Sequence, residues 1–265
     1  MIKAYAKVNL HLQIGQRLDN SLHEVFTLIQ KINLYDELEI AIKESDKTVV
    51  QIKGMEDYKI DGINSMEKAV RIWCFHNKIN AEVNIKIKKN IPLKSGLGGP
   101  SCDAACVLEQ LNSYFNKKTD LNKIALEVGS DVPFFVSGFN AAIVGGTGEI
   151  IQKIEPKKGL KGFVLIPYGK QISTAWAFNE LDKFEKKPFW TKQKLVSVYQ
   201  DEIENWNFIN DFSRLNKKPC FKFLENLNKN EVLFLSGSGA AWIFLTDKTE
   251  INDSNINSYK IKLLT

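Results

Sequence analysis

Cysteine and histidine are both scarce in this chain. The four cysteines, Cys74, Cys102, Cys106 and Cys220, form no CxxC pair in 265 residues, so neither a disulfide framework nor a zinc site is indicated. The three histidines lack metal-ligand spacing, and the HExxH motif is absent. We therefore expect no metal ion that is held wholly by protein side chains.

Long apolar runs are also missing. The longest uncharged stretch, residues 132–148, contains glycine, asparagine, serine and threonine, so it is not the run of roughly 20 apolar residues that spans a bilayer. Residues 1–15 alternate apolar with polar side chains and lack the apolar block of a secretory signal. These features predict a cytoplasmic protein with no membrane partner.

Charge of one sign does not dominate either. Lysine and arginine number 36 against 31 for aspartate and glutamate, a net charge of +5, and basic residues come in pairs at most. This excess favours an anionic ligand but does not require nucleic acid. Hydrophobic residues make up 44% of the chain and charged residues 25%, which indicates a folded globular protein.

The first half alternates strand and helix patterns. Apolar residues alternate with polar ones over residues 8–14, which predicts a half-buried strand with Lys7 on its polar face. Spacings of three and four predict helices over residues 65–76 and 121–128, the second ending at a left-handed Gly129.

The second half opens at a candidate boundary. Residues 153–162 are rich in lysine, glycine and proline between apolar runs, so we predict one domain over residues 1–152 and another over 153–265. Three strands are predicted beyond it, over residues 163–167, 232–235 and 242–245, the last two flanking the glycine turn at 236–240.

A glycine-rich segment carries the strongest chemical signal. The sequence PLKSGLGGPSCDAA, residues 92–105, follows a predicted strand and opens a helix. Glycines let the backbone approach an anion closely, and a helix N-terminus offers unpaired N–H groups, so this loop can bind phosphate. It matches neither the Walker loop nor the Rossmann fingerprint, and a structural turn that packs a helix on a sheet is the alternative.

This loop resembles the ATP-binding signature of the GHMP small-molecule kinases. Four further motifs occur in the order expected of one branch of that family: AKVNL at 6–10, GSDVPFF at 129–135, GTGE at 146–149 and SGSGA at 236–240. The resemblance implies an α+β protein of two domains, the first with the ribosomal protein S5 domain 2-like fold and the second ferredoxin-like. It also implies ATP and Mg²⁺ as cofactors.

The resemblance carries the family's catalytic pair onto Lys7 and Asp131. A carboxylate base beside an ammonium suits phosphorylation of an alcohol, although an exposed strand lysine and a turn or helix-capping aspartate are the plain alternatives. The residues implied for ATP are Pro92, Leu93, Lys94, Ser95, Gly96, Leu97, Gly98, Gly99, Pro100, Ser101 and Cys102 in the loop, with Asn64 and Lys89 near the nucleotide base. For these last two, a helix N-cap and a strand-end charge are equally open.

The resemblance also implies a substrate with a cytidine diphosphate group. Its polar contacts fall on Asn9 and His23, and Phe178 matches an aromatic residue that stacks on the cytosine ring, with a core phenylalanine as the alternative. The chain departs from the family at several positions. Leu22 replaces a tyrosine of the base site, Pro100 and Cys102 replace glycine and serine, and Lys94 replaces a small residue and could add positive charge near the phosphates.

We therefore predict an ATP-dependent kinase acting on the 2-hydroxyl of a cytidine-diphosphate-linked methylerythritol, in the non-mevalonate route to isoprenoid precursors. The alternatives are a GHMP kinase for another alcohol, such as homoserine or mevalonate, and a non-catalytic protein that binds nucleotide or RNA. We expect a small-molecule substrate, no nucleic-acid partner, and a monomer or weak homodimer.

Overall fold

The fold was taken from a computed structural model that describes residues 1–58, 62–168, 173–215, 221, 227–251, 253 and 255–265. Cys220 lies outside the described residues. Strands and helices are mixed along the chain, and the strands form two separate sheets. The predicted α+β class is thereby confirmed.

The first half forms a six-stranded sheet with helices packed on it. Its elements are β1 (Ile2–Arg17), β2 (His23–Glu44), β3 (Val49–Lys53), α1 (Ser65–Asn77), β4 (Ala81–Lys88), α2 (Gly99–Tyr114), α3 (Leu121–Val128), α4 (Val132–Val136), β5 (Ala141–Gly145) and β6 (Ile150–Lys153). The sheet order is β3-β4-β2-β5-β6, with β1 antiparallel to β2 and only the β3–β4 pair parallel. The long β2 pairs with β4 along one part and with β5 along another, so it is the centre of the sheet.

The second half forms a four-stranded antiparallel sheet. Its elements are β7 (Lys161–Pro167), α5 (Thr174–Leu181), α6 (Lys192–Gln200), β8 (Val232–Leu235), β9 (Trp242–Leu245) and β10 (Ile256–Lys262), with 3₁₀ turns at Ile203–Asn205 and Asp211–Arg214. The sheet order is β10-β7-β9-β8. The predicted strands at 163–167, 232–235 and 242–245 are confirmed. The switch between sheets lies after β6, but the division at residues 152 and 153 stays a prediction.

Two local predictions need correction. Gly129 ends α3 in extended backbone (φ 175°) rather than in the left-handed region, because the chain turns directly towards α4 and the Val132 N–H donates to the Gly129 carbonyl at 3.0 Å. The strand at 8–14 is buried on both faces rather than half-buried. Pro188 and Trp190 contact the Gln13 side chain, and Trp190 and Phe208 cover His11, so these polar side chains do not face water.

A buried aromatic cluster encloses His11 on that covered side. The rings of Phe26, Trp190 and Phe208 lie 4.6–6.1 Å from its imidazole. Its Nε2 lies 3.1 Å from Gln13 Oε1, and its Nδ1 lies 3.4 Å from the amide of residue 209. Burial lowers the pKa of His11 from 6.5 to about 4, so the ring is neutral in the folded protein at pH 7.

None of the described helices combines the length and the apolar composition needed to cross a bilayer.

Acidification should destabilise the fold through His11. Because its pKa is lowered on folding, the unfolded chain binds a proton near pH 6.5 and the folded one only near pH 4, so this contribution to stability is lost as pH falls through that window. We expect His11 to lower the free energy of unfolding by about 2 kcal/mol between pH 7 and pH 5. Urea unfolding of wild type and His11→Gln at both pH values measures it. An identical pH dependence in the two proteins would contradict the assignment.

Candidate active site

Strand β1 brings a buried lysine to the edge of a large cavity. The Lys7 side chain is 4% exposed, and its Nζ lies 3.4 Å from Asp131 Oδ2. The same Nζ donates a hydrogen bond to Asn9 Oδ1 at 2.6 Å. A buried ammonium needs such partners, because leaving it unpaired away from water is costly. The structure therefore brings together the two residues that the sequence paired.

A chain of hydrogen bonds behind Asn9 fixes how it faces Lys7. Asn9 Nδ2 donates to Thr27 Oγ1 at 2.9 Å, and Thr27 Oγ1 donates to the His11 carbonyl at 2.6 Å. With its amide nitrogen engaged in this way, Asn9 presents its oxygen to the ammonium. Sequence reasoning missed Thr27, because its role depends on the pairing of β1 with β2 rather than on any local motif.

Asp131 reaches the cavity from the short connection between α3 and α4. Asp131 occupies the N-cap position of α4, but its side chain makes no capping hydrogen bond and is 41% exposed. The glycine turn at 146–149 packs against this connection, since a Cβ added to Gly148 would lie 2.1 Å from the Ser130 carbonyl oxygen. The Asp131 carboxylate lies beside Lys7 in the cavity lining, and no capping hydrogen bond engages it.

The glycine loop lies directly against the lysine. The Lys7 amide donates to the Leu97 carbonyl at 3.0 Å, and a Cβ added to Gly98 would come within 3.1 Å of the Lys7 stem. Gly98 is left-handed (φ 75°) and leads into the 16-residue helix α2. No described residue accepts a hydrogen bond from the amides of Gly98 or Gly99, so this turn offers N–H groups to an anion.

A second glycine turn, residues 236–240, packs on the other side of the loop. A Cβ added to Gly239 would lie 2.4 Å from the Ser95 carbonyl carbon, and the Ala241 amide donates to the Ser95 carbonyl at 3.2 Å. Asn210 holds this turn in place, with its Nδ2 donating to the Leu235 and Gly237 carbonyls at 2.9 and 3.0 Å. The sequence offered no sign of Asn210, which acts on backbone 25 and 27 residues further along the chain.

These elements enclose a cavity of about 920 Å³, a size typical of small-molecule sites. Most of the predicted site residues line it: Lys7, Asn9, His23, Pro92, Lys94, Ser95, Gly96, Leu97, Gly98, Gly99, Pro100, Ser101, Asp131 and Phe178. Leu22, the departure from the expected tyrosine, also lines the wall. Leu93 and Cys102 do not, and the Cys102 thiol donates inward to the Gly99 carbonyl at 3.1 Å.

The two residues predicted near the nucleotide base are not in the cavity lining. Asn64 caps α1, its side chain accepting from the Met66 amide at 2.8 Å. Lys89 is buried between two aspartates, with Nζ contacting Asp36 and lying 2.8 Å from Asp103 Oδ2. Asp36 also accepts from the amides of residues 90 and 91 at 2.6 and 2.8 Å. Contact of Asn64 or Lys89 with a base stays a prediction.

Electrostatics explain why Lys89 remains charged. Burial by itself lowers the pKa of Lys89, but Asp103 and Asp36 beside it raise that pKa overall. Burial raises the pKa of Asp103 to about 7, with Lys89 opposing the shift and Asp36 adding to it. This cluster lies at the entry to the glycine loop and under the first turn of α2, so it fixes the backbone that leads into the loop.

Comparison with known proteins identifies the family. The family model "GHMP kinases N terminal domain" matches residues 64–139. A 4-diphosphocytidyl-2-C-methyl-D-erythritol kinase of Thermosipho melanesiensis is 34% identical over 255 residues, which cover 91% of this chain and 88% of the relative. The enzyme of that name from Desulfotalea psychrophila is 31% identical and covers 97% of this chain and 88% of its own. The chain belongs to the 4-diphosphocytidyl-2-C-methyl-D-erythritol kinase family.

Solved structures agree with this family. A crystal structure of a 4-(cytidine 5'-diphospho)-2C-methyl-D-erythritol kinase superposes with a TM-score of 0.69 at 25% identity, covering 93% of this chain and 90% of that one. The Methanococcus jannaschii mevalonate kinase has a TM-score of 0.61 at 15% identity, over 100% and 98% of the two chains; this likeness concerns the fold alone. The expected GHMP kinase fold is confirmed.

Substitution of Gly98 tests how tightly the loop packs on Lys7. Gly98→Ala and Gly138→Ala both place a Cβ on left-handed backbone (φ 75° and 73°), but only the first Cβ meets atoms, of Lys7 and Phe135. We expect Gly138→Ala to lower the free energy of unfolding by about 1 kcal/mol and Gly98→Ala by about 1 kcal/mol more, from overpacking. Urea unfolding measures both. Equal losses would mean that the loop does not press on Lys7.

Neighbouring lysines test the buried cluster. Lys89→Met would leave two buried carboxylates without their cation, and we expect a loss of about 3–5 kcal/mol in the free energy of unfolding. Lys88→Met is the control, because the Lys88 side chain is 73% exposed and pairs with Glu37 at 3.3 Å, so its loss should be below about 1 kcal/mol. Similar losses for both variants would refute the structural role of Lys89.

Proposed function

We propose that this chain transfers the γ-phosphoryl group of ATP to the 2-hydroxyl of 4-diphosphocytidyl-2-C-methyl-D-erythritol. The observation that carries the proposal is the Lys7–Asp131 pair, which lies 3.4 Å apart at the end of a glycine loop, inside one cavity. The relatives named for this activity match over nearly the whole chain, which favours it over kinases for homoserine or mevalonate and over a non-catalytic binding protein.

The residues of the loop fit a nucleoside triphosphate. The amides of Gly98 and Gly99 have no acceptor among the described residues, and the N-terminal end of α2 adds the positive end of its dipole. Lys94 lines the same cavity and contributes a positive charge. Pro100 contributes no N–H, but its fixed φ is compatible with the first turn of a helix. When bound, ATP supplies the phosphoryl group.

Mg²⁺ would be held by oxygen atoms at the same place. The Ser101 hydroxyl lines the cavity, and Mg²⁺ in kinases is bound by one or two protein oxygens together with the phosphates of the nucleotide. The ion would neutralise charge that develops on the transferring phosphoryl group.

Asp131 and Lys7 then divide the chemistry. Asp131 accepts the proton of the acceptor hydroxyl. The hydroxyl oxygen bonds to the γ-phosphorus while the bond between that phosphorus and the bridging oxygen of ADP breaks. The Lys7 ammonium offsets negative charge on the phosphoryl oxygens. Asn9 fixes the ammonium from the other side through the 2.6 Å hydrogen bond, so the cation is aligned before substrate arrives.

The acceptor would occupy the remainder of the cavity, towards His23 and Phe178. This placement puts the cytidine end of the substrate beside aromatic and polar side chains and its methylerythritol end beside Asp131.

Localisation and partners follow from the proposed substrates. Because both ATP and a nucleotide-linked substrate are supplied inside cells, we infer a cytoplasmic enzyme. Because both substrates are small molecules, we infer no nucleic-acid partner. We also propose the two domains as residues 1–152 and 153–265, with the acceptor between them.

An Asp131 variant tests the reaction and its base together. We expect ADP release by the wild type to require ATP, Mg²⁺ and the cytidine-linked substrate, and Asp131→Asn to lower kcat by about 10²–10⁴-fold while leaving the KM for ATP within about threefold. Asp120→Asn is a matched control, because Asp120 caps α3 and does not line the cavity. An Asp131→Asn variant with the kcat of the wild type would exclude this carboxylate as the base.

A further inference from the structure

The first turn of α1 contacts both of the helices that carry the reacting groups. Helix α1 packs against α2, which follows the glycine loop, and against α3, whose end leads to Asp131. Two polar side chains on this turn, those of Ser65 and Lys68, each reach one of these helices. Neither side chain lines the cavity, so any part they play in the reaction is indirect.

Ser65 holds the start of α2. Its Oγ donates a hydrogen bond to the Pro100 carbonyl at 2.8 Å. Pro100 is the second residue of α2 and follows directly after Gly98 and Gly99. Because the proline ring already fixes φ at this residue, a bond to its carbonyl leaves the backbone little freedom. Ser65 therefore ties the end of the glycine loop to α1.

Lys68 holds the end of α3. Its Nζ donates to the Val128 carbonyl at 2.9 Å. Val128 is the last residue of α3 and is buried, and the final carbonyls of a helix have no partner within the helix, so a lysine can satisfy one of them. The connection to Asp131 begins at this carbonyl. Further along it, Gly148 packs on the Ser130 carbonyl, so the connection is held at two points.

A rigid unit joins the two contacts. Ser65 and Lys68 are three residues apart on one helix, which places them on the same face. Asn64 closes the turn, because its Oδ1 accepts from the Met66 amide at 2.8 Å and its carbonyl accepts from the Lys68 amide at 2.9 Å. A capped helical turn resists bending, so residues 64–68 set the separation of the parts attached to them.

We propose that Ser65 and Lys68 are positioning residues, and that residues 64–68 form a brace that sets the distance between the glycine loop and Asp131. Phosphoryl transfer depends on the alignment of the nucleotide with the acceptor and its base, and a misplacement of about 1 Å can cost about 100-fold in rate. This inference rests on the proposed function and adds the element that aligns the two halves of the site.

The kinetic test removes the two contacts singly and together. With all substrates saturating, we expect Lys68→Met and Ser65→Ala each to lower kcat by about tenfold. The contacts act in series, so once one is lost the other holds nothing. The double variant should therefore also lose about tenfold, whereas independent effects would multiply to about 100-fold. A multiplied loss, or the kcat of the wild type in both single variants, would overturn the proposal.

Conservative variants separate positioning from a loss of folding. Lys68→Arg and Ser65→Thr keep a hydrogen-bond donor at each end of the brace, so they should retain most of the wild-type kcat. Lys68→Met should leave the KM for ATP within about threefold, because Lys68 does not contact the glycine loop. A variant Lys68→Arg that is as slow as Lys68→Met would contradict the assigned hydrogen bond.

His76→Gln is the matched control. At the other end of α1, His76 Nε2 lies 2.9 Å from Glu127 Oε1 of α3. This substitution removes a polar contact between the same two helices without removing the donor to the Val128 carbonyl, so kcat should equal that of the wild type. A loss as large as that of Lys68→Met would show that helix packing in general, rather than the brace, governs the rate.

Hydrogen exchange tests the brace without turnover. The Gly129 and Val132 amides flank Asp131, and each donates a backbone hydrogen bond at 3.0 Å. Lys68→Met should speed their exchange by about tenfold, and His76→Gln should leave it unchanged. Unchanged exchange in Lys68→Met would overturn the inference. Absence of wild-type turnover would instead refute the proposed function, and the exchange rates would still decide whether Lys68 holds this connection.

Discussion

The site depends on close packing of backbone on both sides of the glycine loop. Strand β1 holds one side, through the Lys7 amide and the Leu97 carbonyl, and the turn at 236–240 holds the other, where Gly239 lies too close to Ser95 for any side chain. The approach of Gly239 to Ser95 is possible only because glycine has no Cβ. The two sheets therefore meet at this loop, and the free amides of Gly98 and Gly99, the lysine and the cavity all take their positions from it.

A second requirement follows from burying polar groups on β1. Lys7, Asn9, His11 and Gln13 all lie within the protein, and each must find a partner there. Lys7 pairs with Asn9 and Asp131, and His11 stays neutral beside Gln13. A β-bulge between Asn9 and His11 puts the two pairs of polar residues on opposite faces of the strand. Lys7 and Asn9 line the cavity, whereas His11 packs among aromatic rings on the other face.

Local patterns predicted what is local. Helix α1, the strands at 163–167 and 242–245, and the loop leading into α2 all follow from periodicity and glycine placement within a short window. The contacts that orient the site were beyond reach because they join distant parts of the chain. His23 and Asp182 are separated by 159 residues, and Lys89 and Asp36 by 53. Neither a period nor a motif encodes such pairs. The burial of the polar side chains of β1 could not be predicted for the same reason, because Phe208, which covers His11, lies about 200 residues further along the chain.

A crystal structure with a non-hydrolysable ATP analogue, Mg²⁺ and 4-diphosphocytidyl-2-C-methyl-D-erythritol would show whether the glycine loop and Asp131 carry the reaction. We expect the γ-phosphate between the amides of Gly98 and Gly99 and the Lys7 ammonium, with the 2-hydroxyl within hydrogen-bond distance of Asp131. A nucleotide bound away from this loop, or an acceptor hydroxyl that cannot reach Asp131, would contradict it.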